Sequence, residues 1–218
     1  MKDTDYLQAT PFVDSDDPDV QAFARKALGN ARTVKEKAIA LYGAVRDGIQ
    51  YYPYRDFLDP ATFRASGVLH EGKGFCVGKS ALLAAMARTS GIPARPGFAD
   101  VRNHLTSKRL QEKMGDTFYW HSYTELFIDG KWVKCTPAFD AALCERAKIK
   151  PLDFDGVTDS LFHPFDTAGR RHMEYLNDRG AFADVPFETI VADFKKFYPN
   201  LLAERPATAS FRDEVKAG

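Results

Sequence analysis

The central feature of this sequence is a glycine-rich turn, Gly72-Lys73-Gly74-Phe75-Cys76-Val77-Gly78-Lys79-Ser80, which leads directly into the apolar segment Ala81-Leu82-Leu83-Ala84-Ala85-Met86-Ala87. The largest apolar side chains of that segment recur at the three- and four-residue spacings of one buried helical face. Ser90-Gly91-Ile92-Pro93 follows, and there glycine favours a helix cap and proline cannot continue a helix. The sequence therefore predicts a buried helix that opens with Cys76.

Cys76 is predicted to be a reactive thiol because of its position at the start of this helix. Unpaired N–H groups and the positive end of the helix dipole stabilise a thiolate, so we expect the pKa of this thiol to lie below the free value of about 8.5. Free cysteines are also among the most buried residue types. A structural role in the core is therefore the alternative, and a partner that accepts the thiol proton would favour catalysis.

Length and composition indicate a globular protein of a reducing compartment. The chain has 218 residues, enough for one domain with a sizeable core, and its 30 basic residues balance its 30 acidic ones. No overall field therefore attracts nucleic acid or an anionic membrane. The N-terminus lacks an apolar signal core, and no run approaches the roughly 18 apolar residues of a membrane span. Three cysteines without a C-x-x-C spacing fit a cytoplasmic protein without disulfides or a zinc knuckle.

Capping residues predict two helices before the Cys76 helix. Asp17 or Ser15 would cap the first, which ends near residue 28. Thr33 would cap the second, with Glu36 three residues later completing a capping box, and Gly48 would close it. The first helix belongs to an N-terminal extension, and the second is part of the scaffold of the core.

Several further elements are predicted from apolar spacing. A strand at 94–101 contains Pro96, which favours a sheet edge or a bulge. Residues 102–116 form a loop or a charged helix. The remaining predictions are a short strand at 49–52, a loop with a short helical piece at 55–67 and helices at 141–147 and 187–197.

The strongest strand signal is a hairpin formed by residues 118–128 and 131–135. Asp129-Gly130 joins these two alternating apolar runs, and Asp-Gly is a preferred two-residue hairpin turn. If the register of that turn continues, His121 faces Ala138 on the second strand.

The same register predicts which residues can reach the imidazole of His121. Thr136 and Asp140 share the face of Ala138 and are diagonal neighbours of His121 at about 7–8 Å. Only Asp140 carries a charge that would stabilise an imidazolium. Asp140 could equally cap the helix that starts at Ala141.

His121 is the preferred partner of Cys76 among five histidines, because a strand holds an imidazole rigidly. It could also be a strand histidine satisfied by a backbone carbonyl. His104 and His172 lie in arginine-rich stretches and are interpreted as solvated. His70 belongs to the approach to Cys76, and His163 precedes a proline.

A metal site is a further interpretation of the cysteines. Cys76, His121 and Cys135 could bind a metal, but strand alternation puts Cys135 on the face opposite His121. The acidic residues lack the spacing of a calcium loop. We therefore expect neither a metal nor another cofactor.

The combined motifs resemble the transglutaminase-like core of the papain-type cysteine superfamily. The first motif is Gly-x-Gly-x-Cys76 at the start of a helix that ends in Ser90-Gly91-Ile92-Pro93-Ala94-Arg95. The second is the hairpin that contains His121-Ser-Tyr-Thr-Glu-Leu-Phe and Gly130-Lys-Trp132-Val. The resemblance covers about residues 42–140. It implies an α+β fold with the cysteine helix packed on an antiparallel sheet.

By this resemblance the chain is a single domain over residues 1–218, with a core at about 34–147 and an aromatic-rich C-terminal extension at 151–218. The resemblance implies a cysteine enzyme that transfers an acyl group from an amide or peptide bond, with Cys76 as nucleophile and His121 as general base and acid. The substrate would be a peptide, a protein or a small amide, and hydrolysis is favoured over crosslinking.

The sequence departs from the family pattern at one position. Family members commonly carry Asp-Pro at the end of the second hairpin strand, where this chain has Thr136-Pro137. Asp140 could replace the missing aspartate and complete a Cys76, His121 and Asp140 triad. The alternative is an inactive binding module that keeps the fold. The Cys76 N–H is the expected oxyanion donor, and Tyr54 and Gln50 are further candidates.

Overall fold

The computed structural model of the chain describes residues 3–103, 107–162, 169–170, 172–203 and 211–214. Short 3-10 helices lie at Asp3–Leu7 and Pro60–Thr62. The α-helices are α1 (Pro18–Leu28), α2 (Val34–Gly48), α3 (Ala65–Glu71), α4 (Cys76–Thr89), α5 (Lys108–Met114), α6 (Ala141–Ala147), α7 (Phe187–Phe197), α8 (Pro199–Ala203) and α9 (Phe211–Glu214). The strands are β1 (Gln50–Tyr51), β2 (Lys73–Gly74), β3 (Ala94–Asn103), β4 (Thr117–Ile128), β5 (Lys131–Cys135) and β6 (Met173–Ala181).

The predicted N-terminal caps are confirmed. The carboxylate of Asp17 accepts hydrogen bonds from the N–H groups of Asp19 and Val20, both at 3.0 Å, and so begins α1. Thr33 and Glu36 form the reciprocal capping box at the start of α2. Both signals are local, because each involves only side chains and N–H groups of one helical turn.

The predicted hairpin is confirmed, and it forms one side of a four-stranded antiparallel sheet in the order β5-β4-β3-β6. Ile128 pairs with Lys131, and the register continues to the pair of Thr124 and Cys135. Asp129 and Gly130 both have positive φ values, 50° and 83°, as a type I′ turn requires.

Of the two alternatives for Pro96, a sheet edge or a bulge, the edge is wrong for β3 as a whole, and the bulges of β3 lie further along the strand, between Phe98 and Val101. β3 lies between β4 and β6, and the sequence did not predict β6. Pro96 pairs with Thr124 of β4 and precedes Gly97, the first residue that pairs with β6. The missing N–H is tolerated because β6 does not extend to Pro96.

Helix α4 forms the centre of the fold. Its residues from Cys76 to Arg88 are all buried, and it packs against β3 and β4 on one side and against α1, α2 and α3 on the other. This arrangement of a buried helix on an antiparallel sheet confirms the α+β prediction. Among the described helices, none is long and apolar enough to cross a membrane.

The C-terminal extension contributes to both the sheet and the core. β6 pairs along β3, and the predicted helix at 187–197 is α7. The ring of Phe194 on α7 lies 5.4 Å from that of Phe57, measured between centroids. Residues after 151 therefore reach the surroundings of Cys76, whose neighbour Phe75 also contacts Phe57, at 5.0 Å.

Candidate active site

Cys76 is the first residue of α4, as predicted, and close packing by glycines holds it there. Gly72 has a φ of 63° and ends α3. A Cβ on Gly74 would lie 2.9 Å from Cγ1 of Val68, and a Cβ on Gly78 would lie 2.5 Å from Cγ2 of the same valine and 2.7 Å from the carbonyl oxygen of Thr62. Only glycine permits α3 and the first turn of α4 to approach this closely.

A buried lysine also ties the first turn of α4 to the end of α2. Lys79 is fully buried, and its Nζ donates to the carbonyl oxygens of Arg46 at 2.9 Å and Ile49 at 2.5 Å. Carbonyl groups at a helix C-terminus lack partners within the helix and carry partial negative charge. Lys79 therefore supplies both hydrogen bonds and charge to this junction, one turn after Cys76.

His121 lies on β4, at a bulge that determines where its side chain points. His121 pairs with Ala99, and the next pair is Phe118 with Val101, so two residues of β4 oppose the single Asp100 of β3. Trp120 has a φ of 61°, and its N–H donates to Oδ1 of Asp100 at 3.2 Å.

The bulge brings Cys76 and His121 to one crevice. Both residues line it, together with aromatic side chains from several elements. The sulfur of Cys76 also lies beside the backbone N–H of Ser122, the residue after His121, and beside the N–H groups of Val77 and Cys76 itself. These three N–H groups favour the thiolate.

The predicted lowering of the Cys76 pKa is wrong in direction. Cys76 is only 9% exposed, and burial raises the pKa of its thiol to about 11 despite the opposing N–H groups of Ser122, Val77 and Cys76. A charged thiolate loses its hydration in the core, and three N–H dipoles do not offset that loss. The thiol is therefore protonated at neutral pH.

Burial also keeps the imidazole of His121 neutral. His121 is 6% exposed, and burial, assisted by repulsion from His172, lowers its pKa to about 4. Its Nε2 is buried and has no hydrogen-bond partner among the residues that the structure describes. A neutral imidazole can accept a proton, which a general base requires.

The interpretation of His172 as solvated is wrong. His172 is 3% exposed, and its ring lies 5.7 Å from that of Phe162, which in turn lies 5.2 Å from the ring of His121. Neighbouring arginines suggested a solvated stretch, but Met173 begins a strand that carries this segment into the sheet. His172 is thus a neighbour of the site that the sequence did not predict.

The other histidines lie elsewhere. His70 is on the surface, with Nε2 2.9 Å from a carboxylate oxygen of Asp19. His104 and His163 lie outside the described residues. Among the histidines that the structure describes, His121 is thus the one that lines the same crevice as Cys76.

Asp140 holds backbone groups in this structure. Its Oδ1 accepts from the N–H of Leu143 at 3.0 Å, which caps α6, and its Oδ2 accepts from the N–H of Tyr51 at 3.1 Å. Pairing of β4 with β5 ends at Cys135, so the hairpin register does not continue to Ala138. The capping alternative is therefore confirmed, and the role of Asp140 beside His121 stays a prediction.

Thr136 occupies the position at which the family pattern has aspartate. Its N–H donates to the carbonyl oxygen of Ser160 at 3.0 Å instead of to β4. Its Oγ1 is buried without a hydrogen-bond partner within the described part of the chain, as is Nε2 of His121. The hydroxyl of Tyr175 lies near this side chain, and the Tyr175 ring is 6.5 Å from that of His121.

The remaining candidates have other contacts. The hydroxyl of Tyr54 bonds to the side chains of Ser107, at 3.2 Å, and Glu214, and Gln50 lies on β1. Cys135 donates its thiol to the carbonyl oxygen of Thr124 at 3.5 Å. In the described chain, Asp17, Asp19 and His70 have ligand atoms close enough to share a metal ion, but Asp17 also caps α1.

Parts of this chain are similar to several solved structures. A candidate cysteine protease from Cytophaga hutchinsonii is 18% identical with a TM-score of 0.48, and the alignment covers 80% of this chain and 53% of that one. A candidate protease from Parabacteroides distasonis is 19% identical with a TM-score of 0.40, covering 53% and 22%. Red sea bream transglutaminase is 13% identical with a TM-score of 0.40, covering 62% and 30%.

This chain thus spans about half the length of the first structure and less than a third of the other two. No curated protein matches the sequence. The profile of the transglutaminase-like superfamily matches residues 21–137, which include Cys76 and His121. Because this match extends over more than half of the 218 residues, the chain belongs to the transglutaminase-like superfamily.

Proposed function

We propose that the chain is a cysteine-dependent acyl-transfer enzyme that acts on amide or peptide bonds. Cys76 would be the nucleophile, His121 the general base and acid, and Asp140 the third member of the triad. The observation that carries the proposal is the shared crevice: the buried thiol and the neutral imidazole both line it, beside the N–H of Ser122. The proposed reaction needs no cofactor.

In the first half of the proposed reaction, the thiol and the imidazole react as a neutral pair. The thiol proton passes to His121 as the sulfur bonds to the amide carbon, and the carbonyl oxygen becomes an oxyanion. The N–H groups of Cys76 and Val77 at the start of α4 lie at the sulfur and can donate to this oxygen. His121 then protonates the amine nitrogen, the C–N bond breaks, and a thioester remains.

In the second half, water resolves the thioester. His121 removes a proton from water as its oxygen attacks the thioester carbon, and it gives that proton to the sulfur as the C–S bond breaks. The products are a carboxylic acid and the regenerated Cys76 thiol. We propose hydrolysis in preference to crosslinking because water reaches the thioester without being bound, whereas crosslinking requires a second amine to bind in the correct orientation after the first has left.

The proposal extends to the cellular setting and the substrate. A peptide, a protein or a small amide would be the acyl donor. The cytoplasm is the proposed location, which agrees with three cysteines that are all unpaired thiols.

The second candidate function is an inactive binding module with the same fold. It is favoured by Thr136 in the aspartate position and by Nε2 of His121, which lacks a partner among the described residues. Without an orienting group the imidazole could occupy an unproductive orientation.

Trapping of the acyl-enzyme distinguishes the two functions. The protein is incubated with activated esters and with amides, quenched in acid and analysed by intact mass and peptide mapping. We expect a thioester on Cys76 that is absent in Cys76→Ala and forms far more slowly in His121→Ala. Equal acylation of Cys76 in the wild type and in His121→Ala, with no amide cleaved above the Cys76→Ala level, would favour the binding module.

A further inference from the structure

Two crevices meet at His121. Tyr51, Phe118 and His121 line both of them, but Cys76 lines only the first. We call the crevice that Cys76 lines the sulfur crevice and the other one the imidazole crevice. In the proposed reaction the sulfur bonds to the acyl carbon and His121 protonates the leaving amine, so the two halves of an amide belong on the two sides of this histidine.

The walls of the sulfur crevice are aromatic and apolar. Beyond the shared residues they include Phe57, Phe75, Met114, Trp120 and Phe194. The polar groups behind these walls already have partners: Nε1 of Trp120 donates to Asp193 at 2.7 Å, and Asp193 also pairs with Arg179 at 3.1 Å.

The imidazole crevice is lined in the same manner. Apart from Asn103 and the shared Tyr51 and His121, its walls are aliphatic or aromatic and include Leu110, Phe139, Ala147, Ile149, Met173 and Phe211. No Asp, Glu, Lys or Arg occurs among the described residues that line either crevice.

We propose that the substrate is an amide flanked by uncharged, largely apolar groups on both sides, with the acyl group in the sulfur crevice and the amine group in the imidazole crevice. This inference rests on the proposed function and adds the substrate class. A charged or carboxamide group in either crevice would lose its hydration without a charged partner among the described lining residues, whereas an aromatic or aliphatic group gains from burial. The shifts that burial causes in the pKa values of Cys76 and His121 agree with a poorly hydrated site.

The test crosses two acyl groups with two amines. The acyl groups are N-acetylphenylalanyl and N-acetyl-α-glutamyl, and the amines are aniline and glutamate. The four amides are therefore the two anilides and the two dipeptides N-acetylphenylalanylglutamate and N-acetylglutamylglutamate. The readout is kcat/KM from mass-spectrometric quantification of the released amine. We expect the N-acetylphenylalanyl anilide to be preferred by roughly 100-fold over either amide that carries charge on one side only.

Two matched variants test the assignment of the halves. Met114 ends α5 in the sulfur crevice and Ala147 ends α6 in the imidazole crevice, and both are half-buried. Lysine suits the last turn of a helix, so Met114→Lys and Ala147→Lys should both fold, as thermal unfolding will check. We expect Met114→Lys to reduce the preference for a phenylalanyl over a glutamyl acyl group by at least about tenfold. We expect Ala147→Lys to reduce the preference for aniline over glutamate as the amine by the same factor.

The outcomes separate this inference from the proposed function. Cys76-dependent cleavage that favours the glutamyl acyl group or the glutamate amine, or preferences that neither variant changes, would overturn the inference and leave the function intact. Absence of any Cys76-dependent cleavage would overturn the function. The crevices are then tested by the labelling rates of Cys76 with N-benzylchloroacetamide and chloroacetylglutamate, and equal rates would overturn the apolar preference as well.

Discussion

Phe118 and His121 are three residues apart on β4, yet their side chains line the same two crevices. In a regular strand residues three apart point to opposite faces. The bulge opposite Asp100 inserts one residue between them and reverses the alternation. The orientation of the proposed catalytic base therefore depends on this bulge.

Loss of the Asp100 carboxylate should destabilise the bulge and the site together. Asp100 is 6% exposed, and its Oδ1 accepts from the Trp120 N–H at 3.2 Å and from Nε of Arg179 at 2.6 Å. We expect Asp100→Ala to lower the free energy of unfolding by about 3 kcal/mol in urea titrations and to reduce kcat at temperatures where it is folded. Arg102→Ala, which breaks the exposed ion pairs of this β3 residue with Asp116 and Glu174, should lose less than about 1 kcal/mol. Equal losses would contradict this role.

The alkylation rate of Cys76 should report a protonated thiol. Because burial raises its pKa to about 11, the rate of reaction with iodoacetamide should rise roughly tenfold per pH unit from pH 6 to 10 without a plateau. Cys144, whose pKa burial raises to about 12, is an internal control in the same peptide map. Fast alkylation below pH 7 that slows in His121→Ala would instead indicate a thiolate–imidazolium pair.

Burial of neutral His121 should make the protein less stable in acid. Its pKa is about 4 in the folded chain and about 6.5 in the unfolded chain. As the pH falls below 6.5 the unfolded state gains a proton that the folded state does not bind, so stability falls until about pH 4. Between pH 7 and 4 the wild type should lose about 3 kcal/mol more than His121→Gln in denaturant titrations. Equal losses would indicate that the imidazole is not shielded from solvent.

Asp140→Asn tests whether Asp140 orients His121 as well as capping α6. Asp140→Asn would lose the hydrogen bond that Asp140 accepts from the N–H of either Leu143 or Tyr51, for about 1–3 kcal/mol of stability. We also expect kcat to fall by at least about 100-fold where the variant is folded. The control is Asp47→Asn, since Asp47 accepts from the N–H of Ala141 in the same helix at 3.1 Å. If both variants keep kcat when folded, Asp140 has only a structural role.

Two glycine substitutions test the close packing behind Cys76. Gly78→Ala places a methyl group 2.5 Å from Val68 and 2.7 Å from the backbone oxygen of Thr62, so we expect a loss of about 1–3 kcal/mol in unfolding free energy. Gly43→Ala, inside α2 with nothing within 4 Å of its new Cβ, should gain about 0.5–1 kcal/mol. A neutral Gly78→Ala would contradict the packing argument.

The sequence predicts most of the local structure. The caps at Asp17 and Thr33, the Asp129-Gly130 turn and the start of α4 at Cys76 follow from interactions within a few residues. The family follows from the motifs around Cys76 and His121, and the profile match agrees.

The tertiary structure alone decided the position of β3 inside the sheet, the bulge at Trp120, the burial of His172 and the direction in which the Cys76 pKa shifts. Strand order and bulges depend on partners far away in sequence, such as β6 for β3. The hydration of a group depends on everything that packs around it. The N-terminus of α4 would favour a thiolate in solvent, but because the core buries Cys76 there, its thiol stays neutral.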